Sequence, residues 1–373
     1  MGTEPRDTVL FVSLPQAIGG SNRSLVTLLE TIEGKVRRVL ASPRPGAFAD
    51  LAAERNAFDE WFDLAKKGRL GRVRRLWDGL QLAVWAFRNR ARLAAIHANA
   101  ITGLNAVALA AIVSRRPVVA WIHDPVSTPW SRRLGPWVRR LIADLRITAV
   151  SPTAEAVAVE SGLCDRGTAI IVPNPLDPKD VVFTKPEYHE GVTIAVLGGS
   201  TNRKGFDLIP AVVREVDDLA VQWRLYIKHA PTPENEDVWA QLDAMGSVSV
   251  PGRISDVRQA YAGADIVFVP SREESFCRIA AEAMTNGVPV VASDIPPLRY
   301  LLGDGAGLLF PVADVKAAAA ALRVFVTDAD VRRHAGDIGV ERAANFQPDG
   351  VAAQMLELYR LPRRSRRTGE VTT

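Results

Sequence analysis

Apolar runs of strand length alternate with stretches of helical period along most of this chain. TVLFVSL (8–14) reads as a buried strand, and SNRSLVTLLETI (21–32) as an amphipathic helix with Ser21 in position to cap it. VRRVLAS (36–42) reads as a second strand. LAAIHAN (93–99) and PVVAWIHD (117–124) are strands flanking the apolar helix ITGLNAVALAAIVS (101–114), and LRITAVS (145–151) and AIIVPNP (169–175) complete the series. The stretch 175–191 is rich in Pro and charge and weak in period, as a linker is. A second series then runs through VTIAVLGGS (192–200), WRLYIK (223–228), VSVPG (248–252), ADIVFVP (264–270) and VPVVASD (288–294). Repeated strand–helix units predict α/β architecture, with parallel sheets covered on both faces. At 373 residues, more than one core is expected. We therefore expect an N-terminal domain over 1–180, a C-terminal domain over 190–348, a helix over 349–361 that packs back on the first domain, and a disordered basic tail over 362–373.

The stretch PSREESFCRIAAEAMTNGVPVVASD (270–294) is the most informative. It places Glu274 and Glu282 eight positions apart, on a polar loop and on the helix that follows, between two strands. Glu282 is expected about two turns into that helix. Ligands of open α/β sheets bind at the carboxyl ends of strands, and the free N–H groups of a helix start suit phosphate. Arg203 and Lys204 stand beside Gly205, just before the apparent helix FDLIPAVV. His123 ends an apolar strand, and Asp124–Pro125 breaks the pattern after it. Gly19 and Gly20 follow the first strand, but not as a G-x-G-x-x-G turn.

These pieces resemble, in order and over residues 8 to about 312, the retaining GT-B glycosyltransferases of family 4, whose E-x7-E signature the 270–294 stretch matches. The resemblance implies two Rossmann-like domains facing across a cleft. It also implies transfer of a sugar from a nucleoside-diphosphate sugar to an acceptor hydroxyl, with no cofactor or metal. On that pattern Glu282 accepts the ribose hydroxyls and Glu274 contacts the donor sugar. Lys204 and Arg203 neutralise the leaving diphosphate, and His123 supports the reacting sugar. Gly19, Gly20, Gly198, Ser200 and the backbone of Ser275, Phe276 and Cys277 approach the donor phosphates, while Arg253 and Ile254 meet the base. Two departures stand out: Gly199 where the family places Arg, and Cys277 where it places Gly. His97 and Asn99 are expected to line the acceptor side or to cap the next helix. Other readings of the same fold are a nucleotide-sugar epimerase, a phosphorylase, or an inactive sugar- or lipid-binding protein.

Charge adds one element. Residues 1–150 hold 23 Lys/Arg against 12 Asp/Glu, and the remainder 23 against 30. The segments 66–93 and 131–146 combine Arg with Trp, the composition of a surface that meets an anionic membrane. A lipid-linked or polysaccharide acceptor fits such a face; no nucleic-acid module is recognised. No apolar run reaches the ~18 residues that span a bilayer. The start MGTEPRDTVLFVSL lacks a secretory pattern. Two cysteines give no disulfide framework. A cytoplasmic protein, peripheral on the inner membrane face, is expected.

Overall fold

The computed structural model describes residues 7–16, 18–64, 71–181, 191–227, 229–252, 254 and 256–360, without the side chains of 71–75 and 105. Two compact units divide the chain: Met1–Pro175 together with Pro348–Thr373, and Leu176–Gln347. The linker expected near 182–190 and the tail 361–373 lie outside the described residues.

The first unit begins with β1 (Thr8–Val12), α1 (Gly20–Thr31), β2 (Arg37–Pro43), α2 (Ala47–Glu54), β3 (Glu60–Leu64) and α3 (Gly71–Arg88). It continues with β4 (Leu93–Asn99), α4 (Ile101–Ser114), β5 (Val118–Ile122), α5 (Pro129–Leu141), β6 (Leu145–Ala149), α6 (Pro152–Glu160) and β7 (Ile170–Ile171). All seven strands pair in parallel in the order β3-β2-β1-β4-β5-β6-β7. The central strands are buried on both faces, which is why they read as unbroken apolar runs. β3 escaped the sequence pattern because EWFDL is a half-exposed edge strand carrying Glu60 and Asp63.

The second unit runs β8 (Val192–Gly198), α7 (Ile209–Glu215), β9 (Val221–Ile227), α8 (Glu236–Asp243), β10 (Val248–Ser249) and α9 (Arg258–Ala262). Then come β11 (Ile266–Val269), α10 (Arg278–Thr285), β12 (Val290–Ser293), α11 (Pro296–Leu302), β13 (Gly307–Phe310), α12 (Val315–Thr327) and α13 (Ala329–Ala343). Its parallel sheet has the order β10-β9-β8-β11-β12-β13. One apolar core joins Trp223, Phe206, Trp239, Phe268 and Phe310 beneath α7 and α12.

The last helix, α14 (Pro348–Arg360), belongs to the first unit. It buries Val351, Ala352, Met355, Leu358 and Tyr359 there. In each sheet the strand order reverses once, between β1 and β4 and between β8 and β11. These switch points open a crevice at the carboxyl ends of the strands.

Candidate functional site

In the second unit the loops after β8 and β11 emerge side by side, because those strands pair directly (Ile266↔Ile194). β8 ends at Gly198, whose φ of +122° suits glycine alone. Gly199 is exposed, and Ser200 is fixed by its carbonyl, which accepts from Asn235 Nδ2 at 2.8 Å. Asn202–Lys204 form one tight turn closed by Gly205 at φ +70°. A Cβ on Gly205 would lie 1.9 Å from the Pro270 carbonyl oxygen, so the Arg-Lys-Gly segment sits directly on the end of β11.

Two residues without a role in the sequence reading fasten this contact. The Arg272 amide donates to the Arg203 carbonyl at 2.9 Å, and its guanidinium forks onto Asp207 at 2.6 and 2.7 Å. The effect is to bring Lys204 Nζ into an ion pair with Glu274 Oε1, which also accepts from Ser271 Oγ at 2.9 Å. Arg203 is exposed and donates to the Glu273 carbonyl at 3.3 Å. Both expected cations therefore reach the Glu274 loop.

The loop backbone is equally fixed. Phe276 is buried and meets Phe346 edge-on at 5.5 Å. Cys277 caps α10 at φ +71° and ψ 76°, a conformation that favours glycine. The chain thus keeps a glycine-like turn at the position where the resemblance expects Gly. Burial and the neighbouring Glu274 push the Cys277 thiol well above its ordinary range, so it stays protonated. Ser275 is half-buried between them.

Glu282 is the fifth residue of α10, a little over one turn in rather than two. Its Oε2 accepts from the Tyr261 hydroxyl at 2.8 Å, and its Oε1 from Arg278 Nε at 3.1 Å. Arg253 lies outside the described residues; Ile254 follows Gly252, which turns at φ +80°.

The first unit holds the remaining candidates. Gly19 caps α1 without a side-chain bond, in place of Ser21, and both Gly19 and Gly20 are exposed. Neither has a positive φ, and a Cβ at Gly19 would meet nothing within 4 Å, so the fold itself does not demand glycine there. His123 lies just past β5, buried, with its ring 4.5 Å from that of Trp121. Asp124 accepts from the Ile101 amide at 3.1 Å and so serves the start of α4.

Of the two roles expected for His97 and Asn99, capping of the next helix does not occur. Both are fully buried, and neither caps α4, whose N-cap is Ala100. His97 Nδ1 meets the Tyr359 hydroxyl at 2.8 Å, and burial lowers its pKa from 6.5 to about 3, so the ring is neutral. Asn99 joins Ser13 and Asn22 in a buried polar cluster, with Ser13 Oγ donating to Asn22 Oδ1 at 2.8 Å. That cluster fixes the β1–α1 loop at the switch point of the first sheet. Among the described residues, no group of three or more His, Cys, Asp or Glu is placed to hold a metal ion.

The parallel sheets and their switch points define a two-unit Rossmann-like α/β fold of the GT-B type. The model of the glycosyl transferases group 1 family matches residues 180–342, which takes in Arg203, Lys204, Glu274 and Glu282. A D-inositol 3-phosphate glycosyltransferase of Corynebacterium urealyticum is 39% identical over 101 residues, 27% of this chain and 24% of the relative. The chain thus matches about a quarter of that relative's length. A phosphatidyl-myo-inositol mannosyltransferase of Mycobacterium leprae is 28% identical over 66% of this chain and 68% of its own. Anabaena HepE, solved in complex with UDP and glucose, superposes with a TM-score of 0.77 over 94% of this chain and 99% of HepE at 20% identity. A glycosyltransferase of Rickettsia africae gives 0.81 over 95% and 98% at 14% identity.

Proposed function

We propose that this chain is a retaining, metal-independent glycosyltransferase of family 4 that moves a sugar from a nucleoside-diphosphate sugar to an acceptor hydroxyl. The observation that carries the reading is the meeting of Lys204 and Glu274 at the β8/β11 switch point, beside the start of α10. As the glycosidic C–O bond breaks, negative charge grows on the diphosphate. Lys204 and Arg203 are the cations placed to stabilise it, aided by the amides and dipole at the start of α10. An arriving diphosphate competes with Glu274 for the Lys204 ammonium, which leaves the Glu274 carboxylate to accept a sugar hydroxyl. Glu282 accepts the ribose hydroxyls. His123 belongs to the other unit, and its role toward the sugar rests on the resemblance, as does retention by same-face attack.

For the acceptor we propose a lipid-linked molecule met at an anionic membrane. α5 carries Arg132, Arg133, Arg139 and Arg140 and no acid, with Trp130, Trp137 and Leu141 exposed along it. α3 exposes Leu76, Trp77, Leu80, Val84 and Phe87. Apolar side chains on this scale, edged by cations, suit the headgroup region of a bilayer. No helix among the described residues is long and apolar enough to cross a membrane.

A thermal-shift screen of UDP- and GDP-sugars tests the donor, since a ligand bound to the folded state raises the melting temperature. We expect at least one to do so, with turnover that requires an acceptor and survives EDTA. Lys204→Ala should lower turnover about 100-fold at saturating donor, the scale for losing one preorganised charge-stabilising group, with little change in melting temperature. No shift with any nucleotide sugar would refute the donor site. Loss to EDTA with rescue by magnesium or manganese would refute metal independence.

A further inference from the structure

The Glu282 carboxylate is gripped from two sides before any ligand arrives. Arg278, one helical turn before it on α10, reaches Oε1 with Nε at 3.1 Å and Nη2 at 3.0 Å. Tyr261, from α9, donates its hydroxyl to Oε2 at 2.8 Å. The three side chains are nearly inaccessible: Tyr261 is 1% exposed, and the side chains of Arg278 and Glu282 are 10% and 9% exposed. Glu carries three side-chain torsions, and left alone the carboxylate would sample several of their wells. Fixing one oxygen with a guanidinium and the other with a phenol selects one of them.

Counting acceptors shows what this leaves. A carboxylate offers about four lone-pair sites. Arg278 Nε takes one site on Oε1 and the Tyr261 hydroxyl one on Oε2, Nη2 standing close to Oε1 as an ion-pair contact without hydrogen-bond geometry, so about two remain, the number needed by the two hydroxyls of a ribose. Burial beside the Glu282 charge keeps the Tyr261 hydroxyl protonated, so it remains a donor at every working pH. Tyr261 is itself too enclosed to reach a ligand.

We infer that Tyr261 is a positioning residue for nucleotide recognition: by holding Glu282 Oε2 it sets the orientation through which the site distinguishes a ribose from a deoxyribose. This rests on the donor site proposed above. The test is calorimetry with UDP, GDP and their 2′-deoxy counterparts on the wild type, Tyr261→Phe, Glu282→Gln and the double variant. The wild type should prefer the ribonucleotide. Tyr261→Phe keeps the ring and removes only the hydroxyl; it should reduce that preference about tenfold, the scale of a hydrogen bond to a charged group, while the 2′-deoxy nucleotide, which keeps only its 3′ hydroxyl on Glu282, loses less affinity than the ribonucleotide. In the Glu282→Gln background the same change should have no further effect on the ratio. Equal losses for ribo and deoxy ligands, or additive losses in the double variant, would mean that Tyr261 only supports the fold, and would overturn the inference. An unchanged ratio in Tyr261→Phe would overturn it as well. A wild type that binds no nucleoside diphosphate would overturn the donor site, and this inference with it.

Discussion

His97 makes the stability of the first unit depend on pH in a way that only a core histidine produces. In the folded chain its ring is enclosed against Phe11, Trp121 and Tyr359, and its pKa falls from 6.5 to about 3. Above pH 6.5 the ring is neutral in both states and nothing is lost. As the pH falls below 6.5 the unfolded chain takes up a proton that the folded chain refuses until about pH 3, so stability drops across that window. The slope is about 1.4 kcal/mol per pH unit, which amounts to roughly 2 kcal/mol between about pH 7.5 and pH 5. Asp124 acts in the opposite direction, since burial raises its pKa. The comparison that isolates His97 is therefore wild type against His97→Gln, each referred to its own stability at about pH 7.5. Any constant cost of the substitution cancels. Urea unfolding, with the transition of the first unit assigned by hydrogen exchange of β4 amides, gives the numbers. The wild type should lose about 2 kcal/mol more than the variant by about pH 5. Parallel pH profiles would refute the core placement and return His97 to a solvated site.

Two further outcomes follow from particular contacts. Gly205→Ala should destabilise the second unit by about 2–4 kcal/mol, combining about 1 kcal/mol for a left-handed non-glycine residue with about 1–3 for moving the backbone off Pro270; an unchanged urea midpoint would show that the loop does not lie on β11. The protein should cosediment with anionic but not neutral vesicles and be released in part by salt, each engaged Arg contributing about 1 kcal/mol, and Trp130→Ala with Trp137→Ala should weaken that binding while nucleotide affinity holds; vesicle binding indifferent to the double change would leave α5 as a solvated face.

Most strands were legible because a parallel sheet buries both faces, so that LAAIHAN and ITGLNAVALAAIVS fall on β4 and α4 to the residue. β3 was hidden by its edge position and its acids. The motif residues Lys204 and Glu274 were legible as types, but their pairing was not, since it depends on Gly205 meeting Pro270 across 65 residues of sequence. Arg272 and Asp207 carried no signal for the same reason: one surface cation and one surface acid become a clamp only in three dimensions. His97 was legible as a strand histidine, but its partner was not, since the hydroxyl that engages its ring comes from residue 359. Cys277 shows the reverse case, where the side chain departs from the motif and the backbone keeps its turn.

The placement of α14 also sets a timetable. The second unit is one uninterrupted span, Leu176–Gln347, and can complete itself as soon as its own residues are made. The first cannot. Tyr359, which engages His97, and the Leu358 carbonyl, which accepts from Arg146, are translated more than 180 residues after Pro175, once all of Leu176–Gln347 has been made. At about 5–20 residues per second that is a wait of roughly 10–35 s. During that time a sheet with exposed apolar helices stands without its closing helix, and the unit begun first is the one finished last.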